Sequence, residues 1–247
     1  MEDIRIINER YQLFLTLDKH IFDVYNEENL KCIDEAYENG DPLTSIFTKI
    51  IDKKNKLHKF NSVEYQLDIS FISKDIKYLT GLLYYLHPYI NIPSKEDNTY
   101  FQTTCDKRYL VFASLANQCL YNFWDRVGDL LYVFFETGLK EDSVYLSRVL
   151  NNFPEIYKVS KNYILLKDIY DNKLKELFNQ RQQIVHYKQL GTKHYLGLQY
   201  NYSDKEKAVL LEKEKTSYPK YFKEQSELTF KGFYIALNLI NELPDKI

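Results

Sequence analysis

Residues 115–138, LANQCLYNFWDRVGDLLYVFFETG, are the stretch of the chain that decides its fold. Apolar side chains cover most of the circumference of the helix that this stretch predicts: Leu115, Cys119, Leu120, Phe123, Trp124, Val127, Leu130, Leu131, Val133, Phe134 and Phe135. A helix that is apolar nearly all round is packed on several sides. The stretch therefore predicts the central helix of an all-α protein, extending over 106–136 and ending near Gly138.

A narrow polar stripe runs along this apolar helix. Its members are spaced by four and three residues, at Gln118, Asn122, Asp125, Asp129, Tyr132 and Glu136, with Arg126 at its edge. Buried carboxylates need cations or hydrogen-bond donors opposite them, because losing water without such partners is costly. Two interpretations stay open: the stripe is a seam that faces solvent, or it lines an internal or interfacial polar site.

Helical periodicity dominates the rest of the chain as well, and Gly (7) and Pro (6) are too scarce for many short strands joined by tight turns. The pattern predicts further helices over 3–25, 43–60, 62–88, 141–152, 161–188, 204–215 and 220–243. NGDP at 39–42 predicts a helix stop followed by a helix start, 89–104 a loop, and 194–203 a loop or a short strand. We expect one all-α domain, a helical bundle, over residues 1–247.

Composition narrows the classes of function. Lys+Arg (33) and Asp+Glu (35) give a net charge of −2, which disfavours a protein that coats nucleic acid non-specifically but leaves room for a local basic pocket. Cys32, Cys105 and Cys119 lie far apart without a C-x-x-C motif, as is typical of reduced core thiols. Because the first residues lack a signal-peptide pattern and no apolar run reaches roughly 18–20 residues, we expect a cytoplasmic protein without a membrane span.

The segment LFNQRQQIVHYKQLG at 177–191 places Arg181 five positions before His186, near the end of a predicted helix. The spacing alone is weak, since two surface residues would produce it by chance. Five positions at about 3.6 residues per turn also put the two side chains about 140° apart. They would meet only if the helix loosens at its end or if the long Arg181 side chain swings round.

These residues resemble the HEPN superfamily. The resemblance is carried by the R-x4-H element RQQIVH (Arg181 to His186), which follows a long apolar helix with acidic residues. NFWDRVGDLL (122–131) is further similar to the Cthe_2314-like branch, and the resemblance covers 105–190. It implies a helical bundle of HEPN type over 105–243. Residues 1–100 then form an N-terminal helical extension without an assignable motif.

The resemblance implies a homodimer that cleaves RNA without a metal or cofactor, in toxin–antitoxin or phage-defence systems, with an antitoxin or another protein as a possible partner. It assigns the catalytic roles to Arg181 and His186. Arginine suits a phosphate because its planar group donates paired hydrogen bonds, and histidine can move a proton near neutral pH. The predicted supporting polar site comprises Asn122, Asp125, Arg126, Asp129, Gln182 and Tyr187.

A second hypothesis is a non-catalytic HEPN dimer that binds RNA, a nucleotide or a protein. The near-neutral charge favours it, as does Gln182, which stands where the family commonly has Asn or Asp. The intact Arg181–His186 pair and the acidic stripe favour the ribonuclease. Two weaker candidates are a metal site at His186 and His194, and RNA contact by the Lys-rich segment 49–59, for which a solvated helix face is the simpler interpretation.

Overall fold

The computed structural model describes residues 4–54, 61–91, 102–200 and 205–244, and most of this part of the chain is helical. Its α-helices are α1 (Ile4–Glu27), α2 (Leu43–Lys54), α3 (Ser62–Leu86), α4 (Thr104–Phe134), α5 (Leu146–Asn151), α6 (Glu155–Lys158), α7 (Lys161–Asp168), α8 (Lys175–His186), α9 (Leu190–Tyr200) and α10 (Lys205–Asn241). Two short strands, β1 (Tyr37–Glu38) and β2 (Asp41–Pro42), pair antiparallel. The predicted all-α helical bundle is confirmed.

Helix α4 is the central helix of the bundle. It packs against α3, α5, α8 and α10, and its Phe123 and Trp124 side chains are completely buried. Gly232 of α10 lies directly against Trp124, so close that a Cβ atom at this glycine would lie 2.2 Å from the indole ring. The prediction that residues 115–138 contain the central helix is confirmed.

A buried ion pair joins the start of α4 to α10. The Asp106 carboxylate accepts hydrogen bonds from the Lys215 ammonium group, from the amide and hydroxyl of Thr103 (both 2.7 Å), and from the Asn91 amide (2.9 Å). The Asp106 and Lys215 side chains are 0% and 1% exposed. Burial lowers the pKa of Lys215, and the bond to Asp106 opposes that effect. Two charges from distant parts of the chain thus neutralise each other inside the protein.

The predicted break between helices at 204–215 and 220–243 is wrong, because α10 is continuous and contains Pro219. Proline has no amide hydrogen, so the carbonyl four residues earlier, that of Lys215, loses its helical donor. The Tyr109 hydroxyl of α4 donates to this carbonyl at 2.8 Å. A hydrogen bond from another helix therefore replaces the one that Pro219 removes.

Two other predictions near α8 need correction. The predicted helix over 161–188 is interrupted by a π-helical turn at Ile169–Lys173, which separates α7 from α8. Residues 194–200, predicted as a loop or a short strand, belong to α9 instead. Leu190, His194 and Leu198 are buried at intervals of four residues, so packing of one helical face overrides the local preference of this aromatic-rich segment.

The NGDP segment forms a hairpin turn rather than a helix stop. Asn39 and Gly40 both have positive φ angles, 53° and 86°, and join β1 to β2. Helix α2 begins directly after Pro42, as predicted. In the Lys-rich segment, Lys49 pairs with Asp41 at 2.9 Å and the Lys54 ammonium group donates to the Leu243 carbonyl. The remainder of this segment, and most of the predicted loop over 89–104, lie outside the described residues.

The three cysteines carry free thiols, and Cys32 is buried in the core. Burial raises the pKa of all three thiols. Within the described ranges, no helix combines the length and the apolar composition that crossing a bilayer requires.

Gly128 lets α5 approach α4 closely. A Cβ atom at this position would lie 2.8 Å from the Leu146 amide nitrogen and 2.9 Å from its Cα atom. Because backbone must then move, we expect Gly128→Ala to lower the free energy of unfolding by about 1–2 kcal/mol, although alanine favours a helix by about 1 kcal/mol. Urea unfolding measures this change.

The matched control is Gly191→Ala in α9, where nothing lies within 4 Å of the added methyl group. This variant is expected to keep the wild-type stability or to gain up to about 1 kcal/mol. Equal stability of the two variants would contradict the close packing of α5 on α4.

Candidate functional site

A cavity of about 560 Å³ opens between α4, α5, α8 and the π-helical turn. Its lining comprises Tyr121, Asp125, Tyr145, Leu146, Ser147, Arg148, Tyr170, Phe178, Arg181, Gln182 and His186. Both predicted catalytic residues thus line one cavity, together with Asp125 and Gln182 of the predicted supporting site.

Arg181 and His186 share this cavity within a single chain. His186 is the last residue of α8, and the helix loosens there: the amides of Tyr187 and Lys188 both donate to the Gln183 carbonyl, at 3.0 and 2.9 Å. Arg181 lies one and a half turns earlier, where its long side chain reaches back over α4. The helix end and the length of the arginine side chain together account for the shared cavity.

The guanidinium group of Arg181 is held by an aromatic ring. Its central carbon lies 4.3 Å from the centre of the Tyr121 ring, and Phe178 packs edge-on against the same ring at 5.4 Å. No carboxylate of the described residues lies within ion-pair distance of Arg181, and its buried Nε atom has no acceptor among them. A positioned cation without a partner is suited to bind an anion.

Asp125 faces the same cavity from α4 and is half-buried. Burial raises the pKa of its carboxyl group to about 6, against the hydrogen bond from the Tyr121 hydroxyl, which lowers it. The Asp129 carboxylate raises this pKa as well, whereas the guanidinium groups of Arg181 and Arg126 lower it. A carboxyl group with this pKa can accept or release a proton close to neutral pH.

His186 and Gln182 lie at the open side of the cavity, and both side chains are exposed. Among the described residues, none forms a hydrogen bond with the exposed His186 imidazole. The ring is therefore accessible to a ligand or to another chain.

The remaining predicted supporting residues lie away from the cavity lining. Arg126 pairs with Asp129 at 2.8 Å and with Asp68 of α3 at 3.2 Å. Asn122 accepts a hydrogen bond from Gln118 at 2.7 Å, and Tyr187 is 70% exposed. The polar stripe of α4 is thus divided: Asp125 faces α8, whereas Asp129 interacts through Arg126 with α3.

The sequence does not predict the other seven lining residues: Tyr121, Tyr145, Leu146, Ser147, Arg148, Tyr170 and Phe178. Tyr121 had a usable signal, because it lies four residues before Asp125 and therefore on the same face of a helix. Tyr145 and Arg148 belong to the start of α5 and carry no motif. Their position depends on the close approach of α5 to α4 at Gly128.

The two histidines of the candidate metal site lie in different surroundings. His194 is completely buried, and its Nε2 atom is 2.9 Å from the Tyr218 hydroxyl, which donates to Glu214 at 2.9 Å. Burial lowers the pKa of His194 to about 4. Among the residues that the structure describes, no group of three or more His, Cys, Asp or Glu side chains is arranged to hold a metal ion.

Comparison with known proteins adds no relative: no family model, no curated protein and no solved structure matches the chain.

Proposed function

We propose that the protein is a HEPN-type endoribonuclease that cleaves RNA without a metal, with its active site in the cavity between α4, α5 and α8. The observation that carries the proposal is the position of Arg181. Its guanidinium group is stacked on Tyr121, has no ion-pair partner among the described residues, and shares the cavity with His186 and Asp125.

RNA supplies its own nucleophile, the 2′-hydroxyl group, so the reaction requires only proton transfer and charge stabilisation. In the proposed reaction, ionised Asp125 accepts the proton of the 2′-hydroxyl as its oxygen bonds to the phosphorus. The protonated imidazole of His186 gives a proton to the leaving 5′-oxygen as the P–O5′ bond breaks. The products are a 2′,3′-cyclic phosphate and a 5′-hydroxyl end.

Arg181 stabilises the charge that develops on the phosphorus centre. Its terminal nitrogens can donate hydrogen bonds to the non-bridging oxygens, and these bonds strengthen as negative charge grows in the transition state. The contact with the Tyr121 ring holds the guanidinium group in the cavity before RNA arrives, which reduces the entropy lost on binding.

The proposal includes a homodimer in which two such cavities face each other, as the HEPN resemblance implies. The end of α8 supports this part, because Val185 (49% exposed) and Tyr187 (70% exposed) present apolar surface beside His186. We propose further that the ribonuclease belongs to a toxin–antitoxin or phage-defence system, as the resemblance implies, where a protein partner would control it.

The test is incubation of the purified protein with single-stranded RNA in EDTA, with the ends of the products identified chemically. We expect cleavage that survives chelation, 2′,3′-cyclic phosphate ends, and no products with His186→Ala. His20→Ala, at an exposed histidine of α1, is the matched control and should cleave like wild type. Light scattering on the same sample checks the dimer.

Equal cleavage by wild type and His186→Ala would identify a contaminating nuclease and contradict the proposal. Cleavage that stops in EDTA would contradict the metal-independent reaction.

A second candidate is a dimer that binds RNA without cleaving it. One observation favours it: the His186 side chain is exposed, and no hydrogen bond among the described residues orients its ring. Tight RNA binding by the wild type, with no cleavage in the same assay, would select this candidate.

A further inference from the structure

A second arginine lines the cavity, from a different helix than Arg181. The guanidinium carbon of Arg148, on α5, lies 5.7 Å from the centre of the Tyr145 ring. Within the described residues neither Arg148 nor Arg181 has an ion-pair partner, whereas Arg126 pairs with two aspartates. The described lining of the cavity thus holds two unpaired guanidinium groups and, in Asp125, one carboxyl group.

The cavity also has aromatic walls. Phe178 packs against Tyr121 and Tyr170, with ring centres 5.4 and 5.5 Å apart, so these rings largely support one another. Tyr145 differs from them because it is 43% exposed and lies beside Arg148 at the start of α5. An exposed ring next to an unpaired cation combines the two groups that bind a nucleotide, one for the base and one for the phosphate.

We infer that Tyr145 and Arg148 form a second subsite, which binds the nucleotide next to the cleaved phosphodiester. In this subsite, Arg148 binds the phosphate group of that nucleotide, and Tyr145 stacks on its base. The inference deepens the proposed ribonuclease and rests on it for the identity of the ligand.

The subsite selects unpaired strands. A base inside a duplex is stacked on both faces and cannot lie on Tyr145, whereas an unpaired base can turn towards the ring. Specificity for single-stranded RNA then resides in α5, separate from the groups that move protons.

The experiment measures binding rather than cleavage. The probe is a fluorescent single-stranded oligonucleotide with 2′-O-methyl groups, which cannot be cleaved, and its anisotropy is followed over a range of salt concentrations. We expect Arg148→Gln to weaken binding about 10-fold and to reduce the slope of log K against log salt by about 0.7, the value for one lost phosphate contact. Tyr145→Leu is expected to weaken binding about 10-fold without changing the slope.

Two variants control for charge and for fold. Arg148→Lys keeps the cation and should restore the salt slope. Arg108→Gln removes an exposed arginine of α4 and should bind like wild type. Circular dichroism of each variant confirms that its helices are intact.

The outcomes separate the subsite from the ribonuclease. Three results would overturn the subsite even where the cleavage assay succeeds. The first is an unchanged affinity and salt slope in Arg148→Gln, and the second is an equal loss of binding in Arg108→Gln. The third is a wild-type protein that does not bind the probe. Binding that depends on Arg148 and Tyr145, without cleavage of ordinary RNA, would support the subsite and overturn the ribonuclease.

Discussion

Asp125→Asn is expected to slow RNA cleavage about 10²–10⁴-fold, the usual contribution of a general base. Asparagine has nearly the same shape and can still accept a hydrogen bond from Tyr121, but its amide does not take up a proton at neutral pH. On the acid side of the pH–rate profile, the wild-type rate should rise as the pH increases through about 6, where Asp125 ionises. The variant should lose this rise.

Asp129→Asn is the matched control, because Asp129 lies one turn further along α4 and pairs with Arg126 outside the cavity. At neutral pH it should cleave RNA at nearly the wild-type rate, and because Asp129 raises the pKa of Asp125, the rise in its rate should begin at lower pH. A similar loss in both variants would show that the effect is a general disturbance of α4 rather than removal of a base.

Asp125→Asn, although it slows cleavage, should stabilise the folded protein. The folded protein holds the Asp125 proton more tightly than the unfolded chain, since burial raises the pKa to about 6. Stability is therefore lost as the pH rises from about 4 to about 6, and Asp125→Asn removes that loss. Because the group is partly solvated, we expect a gain of about 1–2 kcal/mol at pH 7 and none below pH 4.

Lys215→Met is expected to lower the free energy of unfolding by about 3–5 kcal/mol. The variant leaves the completely buried Asp106 carboxylate with its donors from Thr103 and Asn91 but without a cation. Methionine fills a similar volume, so the loss reports the uncompensated charge rather than a cavity. Urea unfolding at pH 7 measures it.

The double variant Asp106→Asn/Lys215→Met should recover part of the loss, because it removes both charges. Lys220→Met, at an exposed lysine of the same helix, is the control and should change stability by less than about 1 kcal/mol. If Lys215→Met were no more destabilising than Lys220→Met, the buried pair would contribute nothing to folding.

The all-α fold and its central helix could be predicted because they depend on the apolar circumference of residues 115–138, which is a local property. The continuity of α10 through Pro219 could not be predicted in this way. Pro219 indicates a helix end on local grounds, and the Tyr109 hydroxyl that compensates for it lies more than a hundred residues earlier in the chain. The Asp106–Lys215 pair could not be predicted either, because the two residues lie far apart in the sequence and no local pattern links them.

The site was predictable to a similar degree. The polar stripe and the R-x4-H spacing together indicated Arg181, His186 and Asp125, which line one cavity. Periodicity alone does not reveal which neighbouring helix each turn of α4 faces. It therefore predicts one site for Asp125 and Asp129, whereas Asp129 interacts through Arg126 with α3. Arg148 could not be found, because its place in the cavity depends on how α5 packs on α4.

The orientation of Arg181 and His186 depends on the number of residues in the π-helical turn at Ile169–Lys173, which separates α7 from α8. Each residue added to or removed from a helix rotates the next part of that helix by about 100°. Loss of one residue from this turn would rotate Arg181 away from Tyr121 and move His186 out of the cavity. This would happen although the sequence still contains every residue of the site. Insertions and deletions in this turn should therefore disrupt the cavity as strongly as substitution of Arg181 or His186.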